Sequence, residues 1–164
     1  MIGPVSGHRE YLCYTDGACK AAHGGAGGWG FHIRPPSGPP VEGYGKLRGT
    51  LAKVMEYRAV AEALAALPDA VEAVVFSDNQ SLVENLSRNL DNWRTHGFVK
   101  VDPLVVESVR SIDRAIADKQ LVVRWEWVRG HKGNVGNKRA DELAAQGARE
   151  AKAEATAEKT RGRR

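Results

Sequence analysis

The sequence lacks any apolar run approaching the ~18 residues needed to span a bilayer, and its opening, MIGPVSGHREY, lacks the apolar stretch of a signal peptide. A soluble protein of the cytoplasm, with no membrane partner, is expected. Cysteine is scarce: Cys13 and Cys19 stand neither in a CxxC nor among closely spaced histidines, which excludes a disulfide framework and a zinc site of the usual spacing. Free thiols are expected. Bulk charge of one sign is missing too. The net charge of +4 falls mostly on residues 148–164, where six Lys/Arg face three Glu, so overall charge identifies no partner. No heptad pattern, large apolar stripe or internal repeat is present, and a monomer is expected.

What is present fits one domain. The chain has 164 residues, of which 42% are hydrophobic, close to the globular norm. At this length roughly 70% of the unfolded surface can be buried. One local basic cluster stands out: Lys119, Arg124, Arg129, Lys132, Lys138 and Arg139, with His131 among them and Glu126 as the acid inside the run. Such a run is ordinarily a solvated surface.

Three segments near the start read as strands. REYLCYTD (9–16) is apolar and β-favouring and ends at Asp16; Trp29, Phe31 and Ile33 then alternate with Gly30, His32 and Arg34, giving one apolar face. PPSGPP (35–40) cannot supply ladder donors and reads as a connection to a third strand in VEGYGKLRG. Antiparallel pairing of these three is expected. From Leu51 the period changes: Leu51, Met55, Ala59, Ala63 and Leu67 predict a helix stopped by Pro68. AVEAVVFSD predicts a strand ending at Asp78, followed by a helix through Leu82, Leu86 and Leu90. Pro103 is placed to begin another helix, LVVRWEWV a last strand, and Asn137 the neighbourhood of a last helix. The whole predicts an α/β domain with a five-stranded mixed sheet, its first three strands antiparallel and its later ones parallel, flanked by helices. The domain is expected over residues 1–147, and residues 148–164, poor in large apolar side chains, are expected to be a basic tail of frayed helix or disorder.

Ligands of α/β sheets lie at strand ends, and Asp16 and Asp78 each close a strand. A lone Asp there is ordinarily a turn former or N-cap. Two on adjacent strands repel, and a hard cation such as Mg²⁺ or Mn²⁺ is the economical compensation. Further ligands could come from Glu56, Glu62, Glu126, Asp141 or Glu142. Glu56 and Glu62 lie about 240° apart around a helix of ~3.6 residues per turn, so only one of them can face a common site. Glu56, beside Met55 in an apolar stretch where an unpaired carboxylate is costly, is the better of the two.

YTDGA (14–18), MEYRAVAEAL (55–64), SDNQSLV (77–83) and WEWVRGHKGNVGNKRADELA (125–144) resemble, in the same order, the four signature blocks of the type-1 ribonuclease H family. The resemblance spans about residues 9–147. It implies the ribonuclease H fold and endonucleolytic cutting of the RNA strand of RNA–DNA hybrids, leaving 5′-phosphate and 3′-hydroxyl ends. It implies as well that Asp16, Glu56, Asp78 and Asp141 bind two Mg²⁺ ions, replaceable by Mn²⁺, for in-line attack by water. His131 matches the family histidine of a loop that assists proton transfer or product departure. Asn137 and Arg139 match positions that shape the site, and Gln80 one that reaches the hybrid's minor groove. Trp93, in DNWRTHGFVK (91–100), is a candidate for stacking on sugar or base.

The chain also departs from the family. Ala22-His23 stands where many bacterial members have Asn-Pro, Ala52-Lys53 replaces their Asn-Asn, and the protrusion around Trp93 is poorer in lysine. A hybrid-binding module of weak or no activity is the alternative these departures raise; a different nuclease or strand-transfer enzyme on the same fold is a third.

Overall fold

The alternation at Trp29, Phe31 and Ile33 is realised in β2 (Ala26–Arg34), which lies antiparallel between β1 (Tyr11–Lys20) and β3 (Val41–Leu47). The structure, a computed structural model, describes residues 9–21, 25–129 and 134–163. On its other side β1 pairs in parallel with β4 (Glu72–Ser77), and β4 in parallel with β5 (Val122–Trp127), giving the sheet order β3-β2-β1-β4-β5. The expected mixed sheet is therefore present.

Helix α1 (Ala52–Ala65) and α3 (Val106–Asp118) carry the 3.6-residue period of the sequence. Met55, Tyr57, Val60 and Leu64 of α1 and Val109 and Ile112 of α3 are almost wholly buried, each large side chain contributing about 1.5–3 kcal/mol of transfer free energy. Helix α2 (Gln80–Thr95) buries Leu82, Leu86 and Leu90 and is capped by the Asn79 side chain, which accepts the Leu82 N–H at 3.1 Å. Among the described residues no helix is long and apolar enough to cross a membrane. Cys13 and Cys19 are both free thiols, and burial pushes Cys13 up to about 12, far from the thiolate form.

Asp16 does not close its strand as expected but sits within it, because β1 continues to Lys20 along β2 after its partner β4 has ended. Strand β2 has the expected apolar face, and its other face is buried as well, since α4 (Val135–Gly162) covers Gly28, Gly30 and His32. Pro103 does not open α3: the Asp102 carboxylate accepts the Leu104 N–H at 2.9 Å and holds a turn, so the helix begins three residues later with Leu104 exposed.

The tail, expected as frayed helix or disorder, continues α4 as one helix over residues 148–162. Large apolar residues are not what holds it. Ala148 and Ala151 are fully buried, and a Cβ on Gly147 would collide with the Gly45 carbonyl, so helix and sheet meet backbone to backbone. Lys46 then reaches Glu154 at 2.5 Å, and Arg48 grips Glu158 through two hydrogen bonds of 2.7 and 2.9 Å.

Candidate active site

The parallel register explains how two distant aspartates meet. Tyr14 pairs with Phe76 where the β1–β4 ladder ends, and Thr15 Oγ1 donates to the Phe76 carbonyl at 3.0 Å; continuing both strands by two residues brings Asp16 beside Asp78. Successive side chains alternate between faces, so Asp16 shares with Tyr14 the face covered by α4. Asp141, in the second turn of α4, approaches it there closely enough to raise its pKa. Glu56 arrives from the other face, since α1 lies so close to β1 that a Cβ on Gly17 would strike the Glu56 backbone nitrogen.

Asp16 is the electrostatic centre. It is 7% exposed, and burial first, then the Asp78 charge and the hydrogen bond to Asp141, push its pKa up to about 8; the Gly17 N–H, donating to Oδ1 at 2.9 Å, acts in the opposite sense. Burial also raises Glu56, and Asp78 adds to it, while a short hydrogen bond from the Asn79 amide to Oε2 lowers it. Asp16 thus neighbours Asp78 and Asp141, and Asp78 neighbours Glu56. Among the described residues no three Asp, Glu, His or Cys side chains already converge as a metal cage. Like-charged carboxylates keep apart unless a cation draws them in. The donor set is nonetheless right for Mg²⁺ or Mn²⁺, consisting of hard, acceptor-only oxygens whose crowding a divalent ion would relieve.

The competing acids have cationic partners of their own. Glu62 is bound to Arg58 at 2.8 Å, Glu126 to Arg124 at 2.6 Å, and Glu142 to Arg139 at 3.3 Å. Glu56 alone of the two α1 candidates faces Asp78.

The other sequence-derived residues are placed unevenly. His131 and Ala22-His23 lie outside the described residues. Gln80 is exposed at the start of α2, beside Asp78, and donates to Glu84 at 3.2 Å. Trp93 is half-buried against the core, so part of its ring is spent on packing. Asn137 is 1% exposed in the first turn of α4, where its N–H donates to Asn134 Oδ1 at 2.9 Å. Arg139 Nε donates to Glu42 Oε2 at 2.8 Å, and the same oxygen meets His32 Nδ1 at 2.7 Å; this ties the start of α4 to β2 and β3. Lys53 pairs with Asp102 at 2.7 Å.

Sequence reasoning missed Asn79. It accepts the first-turn N–H of α2 with one side-chain atom and donates to Glu56 with the other, while its own N–H donates to Ser77 Oγ at 3.1 Å. The sequence marks it only as a possible N-cap before Gln80; its second contact depends on α1, 23 residues away.

An α/β layered fold with acidic residues gathered where a parallel ladder opens defines a class: a protein with a candidate site for hard divalent cations at its strand ends. The RNase H family model matches residues 8–149. Relatives named ribonuclease H include those of Polaromonas naphthalenivorans strain CJ2, 34% identical over 146 residues (87% of this chain, 89% of the relative), and Chromobacterium violaceum, 39% identical over 139 residues (82% and 91%). Among solved structures, LC11-RNase H1 in complex with RNA/DNA hybrid is 25% identical with a TM-score of 0.65, covering 87% of this chain and 99% of that one. The chain belongs to the RNase H family, whose members are metal-dependent nucleases.

Proposed function

We propose that this protein is an endonuclease that hydrolyses the RNA strand of RNA–DNA hybrids, with two Mg²⁺ ions, or Mn²⁺ in their place, held by Asp16, Glu56, Asp78 and Asp141. The observation that supports this most is Asp16, buried beside Asp78 and Asp141, a setting that raises its pKa and that a bound cation would relieve. The hybrid bound by LC11-RNase H1 supports the substrate class.

When bound, such ions supply an acidified water and neutralise charge on the phosphate under attack. The chain's own part is orientation. Gly17 N–H fixes the Asp16 carboxylate, Asn79 fixes Glu56, and the glycine-lined contact of α4 with the sheet fixes Asp141. His131 would move a proton between the reacting oxygens and solvent. Asn137 and Arg139, one buried and the other tied to Glu42, would act by holding the first turn of α4 in place. Gln80, exposed beside Asp78, would reach the minor groove, where 2′-hydroxyls distinguish RNA from DNA. The exposed part of Trp93 would stack on the other strand, and the basic end of α4 would add phosphate contacts. The protein would work as a cytoplasmic monomer, leaving 5′-phosphate and 3′-hydroxyl ends.

The test compares end-labelled RNA–DNA hybrid, double-stranded RNA and double-stranded DNA on gels, with Mg²⁺ and with EDTA. Cutting confined to the RNA of the hybrid, and stopped by EDTA, is expected. Cutting that persists in EDTA overturns the mechanism, and tight hybrid binding without cutting in Mg²⁺ or Mn²⁺ makes the chain the inactive binding module instead.

A further inference from the structure

The basic cluster of the last third of the chain separates in the structure into spent and unspent charges. Lys119 donates to the carbonyls of Ala65 and Leu67 at 2.8 and 2.6 Å, closing the end of α1. Arg124, on β5, is neutralised by Glu10 and Glu126, and Arg139 by Glu42 and Glu142. Arg129 differs. It has no carboxylate partner among the described residues, is exposed, and lies with its guanidinium carbon 5.2 Å from the centre of the Trp127 ring.

Trp127 in turn belongs to the strand end that carries Asp78. It stands in register with Ser77, the Val128 N–H donates to the Ser77 carbonyl at 2.9 Å, and the indole N–H donates to the Asp78 carbonyl at 3.2 Å. One face of an exposed indole is thus used to seat a cation one side chain away from a cluster of acids. A guanidinium held over a ring, with no carboxylate partner among the described residues, keeps N–H groups available, and its fork matches the oxygens of a phosphodiester. A polyanionic substrate approaching four carboxylates needs positive charge beside them as well as between them.

We propose that Arg129 is a substrate-binding residue that grips a backbone phosphate of the hybrid next to the cleavage site, and that Trp127 is the positioning residue that holds it there. The inference rests on the hybrid-nuclease reading above. Recognition here is of the phosphate backbone, so it adds affinity without base sequence.

Steady-state cleavage of a labelled hybrid in saturating Mg²⁺, at several KCl concentrations, tests this with Arg129→Ala, Arg129→Lys, Trp127→Ala and Trp127→Phe. Loss of one charge-assisted hydrogen bond should raise KM about tenfold in Arg129→Ala, with kcat within about twofold of the parent. The slope of log KM against log salt should fall by about one contact. Arg129→Lys should restore the slope but not the full KM. Trp127→Ala should resemble Arg129→Ala, whereas Trp127→Phe, which keeps a ring beneath the guanidinium, should retain the parental slope. An Arg129→Ala protein with unchanged KM and unchanged slope overturns the inference while leaving the hybrid-nuclease reading intact. Should the parent cut no hybrid, that reading falls, and fluorescence anisotropy of the same duplex with the same variants still decides the Arg129 contact by its salt slope.

Discussion

Where α4 crosses β2 and β3, charges meet partners and backbones touch; where β1 and β4 part, carboxylates of one sign crowd together with one of them buried. Along the first region Lys46, Arg48 and Arg139 are matched by Glu154, Glu158 and Glu42, and Gly28 and Gly147 let the helix settle onto the sheet. In the second, Asp16 stands against Asp78 and Asp141, and Glu56 against Asp78. The same helix serves both. Its packed middle stabilises the fold, and that stability offsets the cost of burying Asp16 beside other carboxylates. Changes in the two regions should therefore have opposite signatures.

The largest effect is expected at Asp16. Asp16→Asn should lower cleavage by more than the ~10–100-fold typical of losing an outer-shell partner of a metal site. In EDTA the same variant should be more stable than the parent. The folded Asp16 holds its proton up to about pH 8, whereas its ordinary value is 3.8, so the folded form binds more protons between those values and parental stability falls as pH rises through that window. Below the window the penalty is absent, and above it the penalty is complete. Thermal melts from pH 4 to 9 in EDTA should show the variant's advantage growing with pH. A variant less stable than the parent at pH 8 would remove the proposed contrast between the two regions.

The packed region should behave in reverse. Gly147→Ala replaces glycine within a helix, a change that local propensity favours by ~1 kcal/mol. Its Cβ, however, meets the Gly45 carbonyl and the Gly28 Cα, and backbone cannot move aside as a side chain can. We expect a net loss of about 1–3 kcal/mol, lowering Tm by several degrees, with a fall in kcat much smaller than at Asp16 because the contact that fixes Asp141 shifts without removing a carboxylate. A rise in Tm would show that the two backbones are not in contact there.

Next in size is Asn79→Ala, which touches both stability and site. Loss of the α2 cap should cost about 1 kcal/mol, and release of Glu56 should weaken metal activation about tenfold or more. Activity titrated against Mg²⁺ should shift to higher concentration, with the same maximum. Asn79→Ser, which keeps the cap but cannot reach Glu56, should restore the Tm and leave the Mg²⁺ curve displaced.

These contrasts also show what was legible in the sequence. Helix and strand periods named the sheet and its helices, because large apolar residues at fixed intervals reveal which face is buried. Asp16 and Asp78 were legible as neighbours through the parallel pairing of β1 with β4, although Asp16 lies within its strand and not at its end. The packing of α4 beyond residue 147 was not, because it is buried through alanines against glycines, and close approach of small residues leaves little mark on hydrophobicity. Asn79 and Arg129 were hidden for a different reason. Their meaning lies in contacts with Glu56 and Trp127 that only the assembled fold creates.

The smallest expected effect lies at the junction of the two regions. Glu42 accepts from Arg139 and meets His32, and the hydrogen bond from Arg139, followed by that from His32, holds its carboxyl below the ordinary value of 4.5. A depressed folded value means that the stabilisation is present above pH 4.5 and is lost as pH falls through the lower, folded value. Glu42→Gln should therefore flatten the acid limb of the Tm–pH curve, leaving a small deficit at neutral pH that vanishes towards pH 3. Because both side chains of the Arg139–Glu42 pair remain partly exposed, solvent screening keeps the deficit to a degree or so, within what exposed pairs usually contribute. Its side chain nonetheless fixes Arg139, two residues from Asp141, so the more telling readout is the Mg²⁺ dependence of cleavage. If that curve is unmoved, the β3–α4 tie stabilises the helix without steering the carboxylate; a displaced curve would join the two regions through this one residue.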